Sequence, residues 1–145
     1  MENFKILGQA ISNSTTAVEL YAVPVTSSSS AGSSITYTRA YDPPTQTLVT
    51  SIIVCNQNAS TDRAFDLMLF DSSSGEDGTS IAAKNYLLKA ISLAAKETKV
   101  LSLGLTMSAR FNSTTPATVT KGDILQFKVD AGTDVSVTAM GVEIT

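Results

Sequence analysis

The sequence predicts an all-β protein of about eight strands in a closed or two-layered antiparallel fold, which, with the family resemblance given below, we take as a single antiparallel β-sandwich, jelly-roll-like. Three observations lead there. Apolar and polar residues alternate with a period of two through most of the hydrophobic segments. Those segments are short and separated by polar turns rich in Gly, Ser, Asp and Pro. The chain has 145 residues, 43% of them hydrophobic, which is material for one packed core in one domain spanning 1–145.

The first strand is read over residues 4–11. Residues 16–23 come next, with Val18, Leu20 and Ala22 on one face and Glu19, Tyr21 and Val23 on the other, ending at Pro24. Residues 46–55 are rich in β-branched side chains and place Leu48, Thr50, Ile52 and Val54 on one face. Residues 64–71 turn Phe65, Leu67 and Leu69 to one side and Asp66 toward water. Residues 98–105 alternate through Val100, Leu101 and Leu103. Residues 123–129 put Leu125, Phe127 and Val129 inward, then run through a turn composition at 130–134 into residues 135–144, a pair read as a hairpin. The expected core is Leu20, Leu48, Ile52, Val54, Phe65, Leu67, Leu69, Leu101, Leu103, Leu125, Phe127, Val129, Val135 and Val137.

Residues 80–97 pull in two directions. Their Ala, Leu and Lys content favours a helix. Yet Leu87, Lys89, Ile91 and Leu93 also alternate, and in an all-β context we read a short turn near Ile81, a strand over 86–91 and a turn at 94–96. Two stretches lie outside this pattern. Residues 26–34 are almost entirely Ser and small residues, and together with residues 35–46 they make a Ser-rich insertion or arm at 26–46. In its second half Ile35, Tyr37, Arg39 and Tyr41 share one face if extended. Tyr and Arg are enriched at interface hot spots, so Tyr37, Arg39 and Tyr41 are the candidate interface residues, with a plain core strand as the alternative. The second stretch is the acidic loop 71–78.

Composition narrows function by exclusion. Charged residues are 16%, well under the roughly 25% of ordinary soluble domains, and Ser and Thr make up about a quarter of the chain. There is no His, no Trp and a single Cys, which removes His-dependent triads, Cys/His zinc sites and any intrachain disulfide. The net charge is −3, and the seven Lys and three Arg are scattered, so no nucleic acid is expected as a partner. No run approaches the ~18 apolar residues of a membrane span. The opening Met1-Glu2-Asn3-Phe4-Lys5 lacks the form of a secretory signal, so folding in a cytoplasm is expected. Cys55, with no basic neighbour, reads as a small buried hydrophobe.

No motif points to chemistry. Asp71, Glu76 and Asp77 are clustered, but Ser73 and Gly75 stand where a calcium loop needs acids, so the loop reads as a solvated connection. Three Asn-x-Ser/Thr matches, at Asn13, Asn58 and Asn112, read as chance in a chain this rich in Ser and Thr. No base stands in a recognisable signature with a nucleophile, and the eight Gly form no phosphate loop. The expectation is a protein that is not an enzyme, with no catalytic residue, cofactor or metal.

The segments Leu20-Tyr21-Ala22-Val23-Pro24 and Val49-Thr50-Ser51-Ile52-Ile53-Val54-Cys55-Asn56 resemble a strand pair of small β-sandwich virion proteins of tailed bacteriophages, of the marine and cyanobacterial phage type. Ile81-Ala82-Ala83-Lys84-Asn85-Tyr86, Leu101-Ser102-Leu103-Gly104-Leu105-Thr106-Met107 and Gly141-Val142-Glu143-Ile144-Thr145 are similar to the same family, in the same order. The insertion at 26–46 and the stretch 110–116 depart from it. The resemblance implies a virion structural protein, a capsid decoration or cement protein docking on the assembled shell. A tail, neck or baseplate component and a host-glycan binding module are the alternatives. The partner implied is the major capsid protein or another virion protein. A homo-oligomer, dimer or trimer, is expected as well, because Ser/Thr-rich strand edges can add to a neighbour's sheet.

Overall fold

A strand with one apolar face is stable only when that face is buried against another layer. The chain meets this requirement with two four-stranded sheets laid face to face. The computed structural model describes residues 2–24, 46–109 and 122–144. Among them run β1 (Glu2–Ile11), β2 (Val18–Ala22), β3 (Gln46–Asn56), β4 (Arg63–Phe70), β5 (Tyr86–Leu93), β6 (Thr98–Ser108), β7 (Ile124–Val129) and β8 (Val135–Ile144). One sheet has the order β1-β8-β3-β6 and the other β2-β7-β4-β5, every ladder antiparallel. Only β4 and β5 are neighbours both in the chain and in a ladder; the other connections cross between sheets. That is the pairing of an eight-stranded jelly roll, as the sequence predicts.

The core lies between the sheets. Val49, Ile52 and Val54 of β3 and Val135, Val137 and Ala139 of β8 face Phe65 and Leu67 of β4 and Leu125, Phe127 and Val129 of β7. The Phe65 and Phe127 rings meet at 6.1 Å between centroids. Gly8 lets β1 lie close on β2: a Cβ there would stand 1.8 Å from the Leu20 carbonyl oxygen. A smaller cluster of Met68, Phe70 and Ile124 lies on the outer side of the β2-β7-β4-β5 sheet, packed against Ile81 and Tyr86. The chain covers that outer face itself, with the 71–85 connection.

Several expectations need correction. The segments 123–129 and 135–144 are not a hairpin. β7 pairs with β2 and β4, β8 with β1 and β3, and the turn between them carries the chain from one sheet to the other. Alternation reveals which side of a strand is apolar, not which strand lies beside it. Leu48 is 37% exposed rather than core, because the β3 register shifts between Val49 and Ser51, turning Thr47 and Val49 inward before the bulge and Ile52 and Val54 after it. Leu69, Leu101 and Leu103 are only partly buried against the core. Residues 80–97 do hold a short 3-10 turn (Ala83–Asn85) and then β5. Within β5 the extra residue at Ala90 moves the inward set to Leu88, Ile91 and Leu93, so Leu87 is exposed.

Candidate interaction surface

The β1-β8-β3-β6 sheet has an outer face as well as an inner one, and cross-strand registers place its residues in rows. Phe4, Val142, Leu48 and Thr106 form one row, and Ile6, Met140, Ser51 and Ser102 the next. Beyond them come Gln9, Thr138, Ile53 and Val100, then Ile11, Ser136, Cys55 and Thr98, while Glu2, Ile144, Gln46 and Ser108 close the opposite end. Apart from Glu2 in that end row, none of these residues carries a charge. Phe4 and Val100 are each 65% exposed, Ile6 55% and Ile11 52%. Isolated exposed apolar residues are ordinary, but a contiguous apolar sheet face marks an interaction site.

The face has relief. The β1 side carries the ridge of Phe4, Ile6 and Ile11, whereas the outward positions of β6 include Ser102, Gly104 and Thr106. A Cβ built on Gly104 finds no heavy atom within 4 Å, so the space over it is open, and with no side chain at that position the surface lies lower than along β1. β8 reverses the usual order, with small Ala139 and Gly141 inward and the larger Met140, Val142 and Ile144 outward. Cys55, expected in the core, is a half-buried free thiol on this outer face.

Charged groups are held at the margins and ends of the sandwich. Tyr21 Oη on β2 donates to Glu143 Oε1 on β8 (2.7 Å) and pairs with Thr47 Oγ1 on β3 (2.8 Å), while Lys5 forms an ion pair with Glu143. Burial, with the Glu143 carboxylate beside it, pushes the Tyr21 phenol well above its ordinary range. Burial alone would raise the Glu143 carboxyl, but the hydrogen bonds from Lys5 and Tyr21 outweigh it and lower it. At the other end, Arg63 grips Asp134 through Nε (3.0 Å) and Nη2 (2.8 Å), and Asn58 Nδ2 donates to the same carboxylate at 2.6 Å. Arg63 first, and Asn58 with it, hold Asp134 down at about 2.

The acidic loop is a set of separate turns. Asp71 accepts from the Ser73 amide and the Ser73 and Ser74 hydroxyls. Glu76 accepts from the Asp71 amide and Asn85 Nδ2 and pairs with Lys84, and Asp77 accepts from Thr79. Among the described residues, no three His, Cys, Asp or Glu side chains gather as metal ligands. Asp66, expected to face water, is half-buried and accepts the Ala90 amide at 2.8 Å.

Tyr37, Arg39 and Tyr41, with the rest of the insertion up to residue 45, lie outside the described residues, as do Asn112 and the stretch 110–116; Gln46 opens β3. Alternation alone does not single out the outer face, although its sign is in the sequence: residues 46–56, 100–109 and 135–142 contain no charged residue. Comparison with protein-family models, curated proteins and solved structures finds no match to the chain.

Proposed function

We propose that this chain is a non-enzymatic structural protein of a bacteriophage virion, a capsid decoration protein that docks on the assembled shell and acts through protein–protein contact. The observation that carries the contact role is the apolar outer face of the β1-β8-β3-β6 sheet, without charge from the Phe4 row to the Ile11 row and with Phe4 and Val100 each 65% exposed. Fold alone does not give function, since jelly rolls serve in capsids, lectins and enzymes alike. The virion setting rests on the resemblance of the motifs at residues 20–24, 49–56, 81–86, 101–107 and 141–145. On a symmetric particle, weak contacts repeated over many copies suffice to hold such a domain.

The test is to incubate the purified chain with empty phage shells, sediment them, and measure copies per particle. Saturable binding in proportion to the number of shell subunits is the expected result. A few copies per particle would move the protein to the tail, neck or baseplate. Absence from both shells and tails would overturn the virion reading.

A further inference from the structure

We infer that the outer face of the β1-β8-β3-β6 sheet pairs with the same face of a second copy of this chain, the β1 ridge of each copy seated over the β6 hollow of the other. The inference rests on the contact role proposed above for this face and names a second copy as its occupant, so that the paired molecules, rather than this face, meet the shell; it does not depend on the virion setting.

Three features favour a second copy as the occupant. The first is charge. Two identical faces meeting about a two-fold axis bring like groups into one interface, where charges of one sign would repel and lose water. From the Phe4 row to the Ile11 row, the outward positions of β1, β8, β3 and β6 hold no charged residue, and Glu2 stands at the end of the sheet, in register with Ile144. The second is shape. A two-fold axis lying between the faces and parallel to the strands exchanges β1 with β6 and β8 with β3. Phe4 and Ile6 then straddle Gly104 of the other copy, where a Cβ would meet nothing within 4 Å. Val142 comes over Leu48, and Met140 over Ser51. An axis perpendicular to the strands would instead set ridge on ridge and hollow on hollow. The third is size. Four strands about 4.8 Å apart and about 30 Å long offer a projected area on the order of 600 Å² per copy. Doubled, that reaches the lower bound of specific interfaces, and two sheets stacked about 10 Å apart are an ordinary packing.

The contrast between the two sheets supports the same conclusion. On the β2-β7-β4-β5 sheet the chain covers Met68, Phe70 and Ile124 with Ile81 and Tyr86. On the β1-β8-β3-β6 sheet Phe4, Ile6, Ile11 and Val100 stay more than half exposed.

Sedimentation equilibrium of the full chain tests the pairing, with far-ultraviolet circular dichroism confirming that each variant keeps its fold. The parent protein is expected to be dimeric at about 100 μM, and Gly104→Arg to weaken the dimer at least about tenfold by burying an unpaired charge. The open space over Gly104 means that this change leaves the fold alone. Phe4→Lys should weaken the dimer in the same way. Mixing Phe4→Lys with Gly104→Glu should restore a dimer. The mixed pair sets the introduced ammonium against the introduced carboxylate and keeps its other ridge-to-hollow contact as in the parent. A monomeric parent overturns the inference, as does a dimer indifferent to both single changes, or a mixture that stays monomeric. A monomeric parent whose Gly104→Arg variant no longer sediments with empty shells would assign the face to the shell protein instead.

Discussion

The Asp66 carboxylate accepts the backbone amide of Ala90 at 2.8 Å, across the ladder at the point where β5 exchanges its inward and outward faces. Ala90 has a φ of +53°, in the left-handed region where a Cβ is strained. The extra residue there lets Leu88 and Ile91 both reach the core. Ala90→Gly should therefore stabilise the protein by about 0.5–1 kcal/mol, since Ala90 is exposed and its methyl packs little. Asp66→Ala should destabilise by a similar amount by removing the acceptor. Thermal unfolding of the two variants should move in opposite directions from the parent, and a lower melting temperature for Ala90→Gly would contradict this account of the bulge.

Tyr21 links the two sheets at their margin through Thr47 and Glu143. Tyr21→Phe keeps the ring but strands the Thr47 hydroxyl and removes a donor from Glu143, a cost of about 1–3 kcal/mol in denaturant unfolding. The pH dependence comes from the sign of the shift. The phenol is raised in the folded state, so its contribution to stability is full below the unfolded value of about 10 and is lost as pH rises beyond it. Followed by phenolate absorbance, one of the four tyrosines should resist ionisation until the fold opens in alkali. The Tyr21→Phe protein should lack that late phase.

Asp134 gives the opposite limb. Its folded value of about 2 lies below the ordinary range near 3.9, so the stability it contributes is present above about pH 4 and lost as pH falls toward 2. Arg63 and Asp134 are partly open to water, which screens the pair and keeps its contribution small. Asp134→Asn should be less stable than the parent at pH 7 and nearly equal to it at pH 2. Gly132, beside this pair, has a φ of +83°, and a Cβ there would sit 2.5 Å from Arg63 Nη2 and press on the ion pair. A parallel acid titration of Asp134→Asn and the parent would remove this assignment.

The parts of the fold legible in the sequence are those where alternation runs unbroken. Leu125, Phe127 and Val129 of β7 and Phe65 and Leu67 of β4 are buried as their spacing implies. Bulges spoil the reading elsewhere. In β3 both Leu48 and Val49 are apolar, and only pairing with β6 and β8 on its two sides decides which turns inward. No Gly marks that bulge, so nothing local announces it. The turn at 130–134 looks like a hairpin because a short polar loop is the same whether it stays in one sheet or crosses to the other. The outer face is readable only as a missing property, the lack of charge along residues 46–56 and 135–142. Apolar residues on both faces of a strand suggest a buried strand first and an interface second.

Asn56 ends β3 with its side chain fully buried, and it ties two connections to one point. Its Nδ2 faces the carbonyl oxygens of Thr61 at 2.9 Å, Ala94 at 3.1 Å and Leu93 at 3.3 Å, and its Oδ1 accepts the Asn58 amide at 3.0 Å. The β3–β4 loop and the β5–β6 turn are thus held by a single amide group. Asn56→Ala leaves those backbone groups without their partner and opens a cavity, at a cost of about 2–4 kcal/mol. Asn56→Asp is the sharper experiment. A carboxylate keeps the acceptor for the Asn58 amide but sets negative charge against three carbonyl oxygens, which favours the protonated acid in the folded state. The carboxyl is then raised by folding, so the penalty is full at neutral pH and eases as pH falls through the folded value. The Asn56→Asp protein should gain stability relative to the parent on mild acidification, opposite in sign to the Asp134 effect. If denaturant unfolding at pH 7 and pH 5 shows the same gap between Asn56→Asp and the parent, the amide's donor role at this junction is wrong.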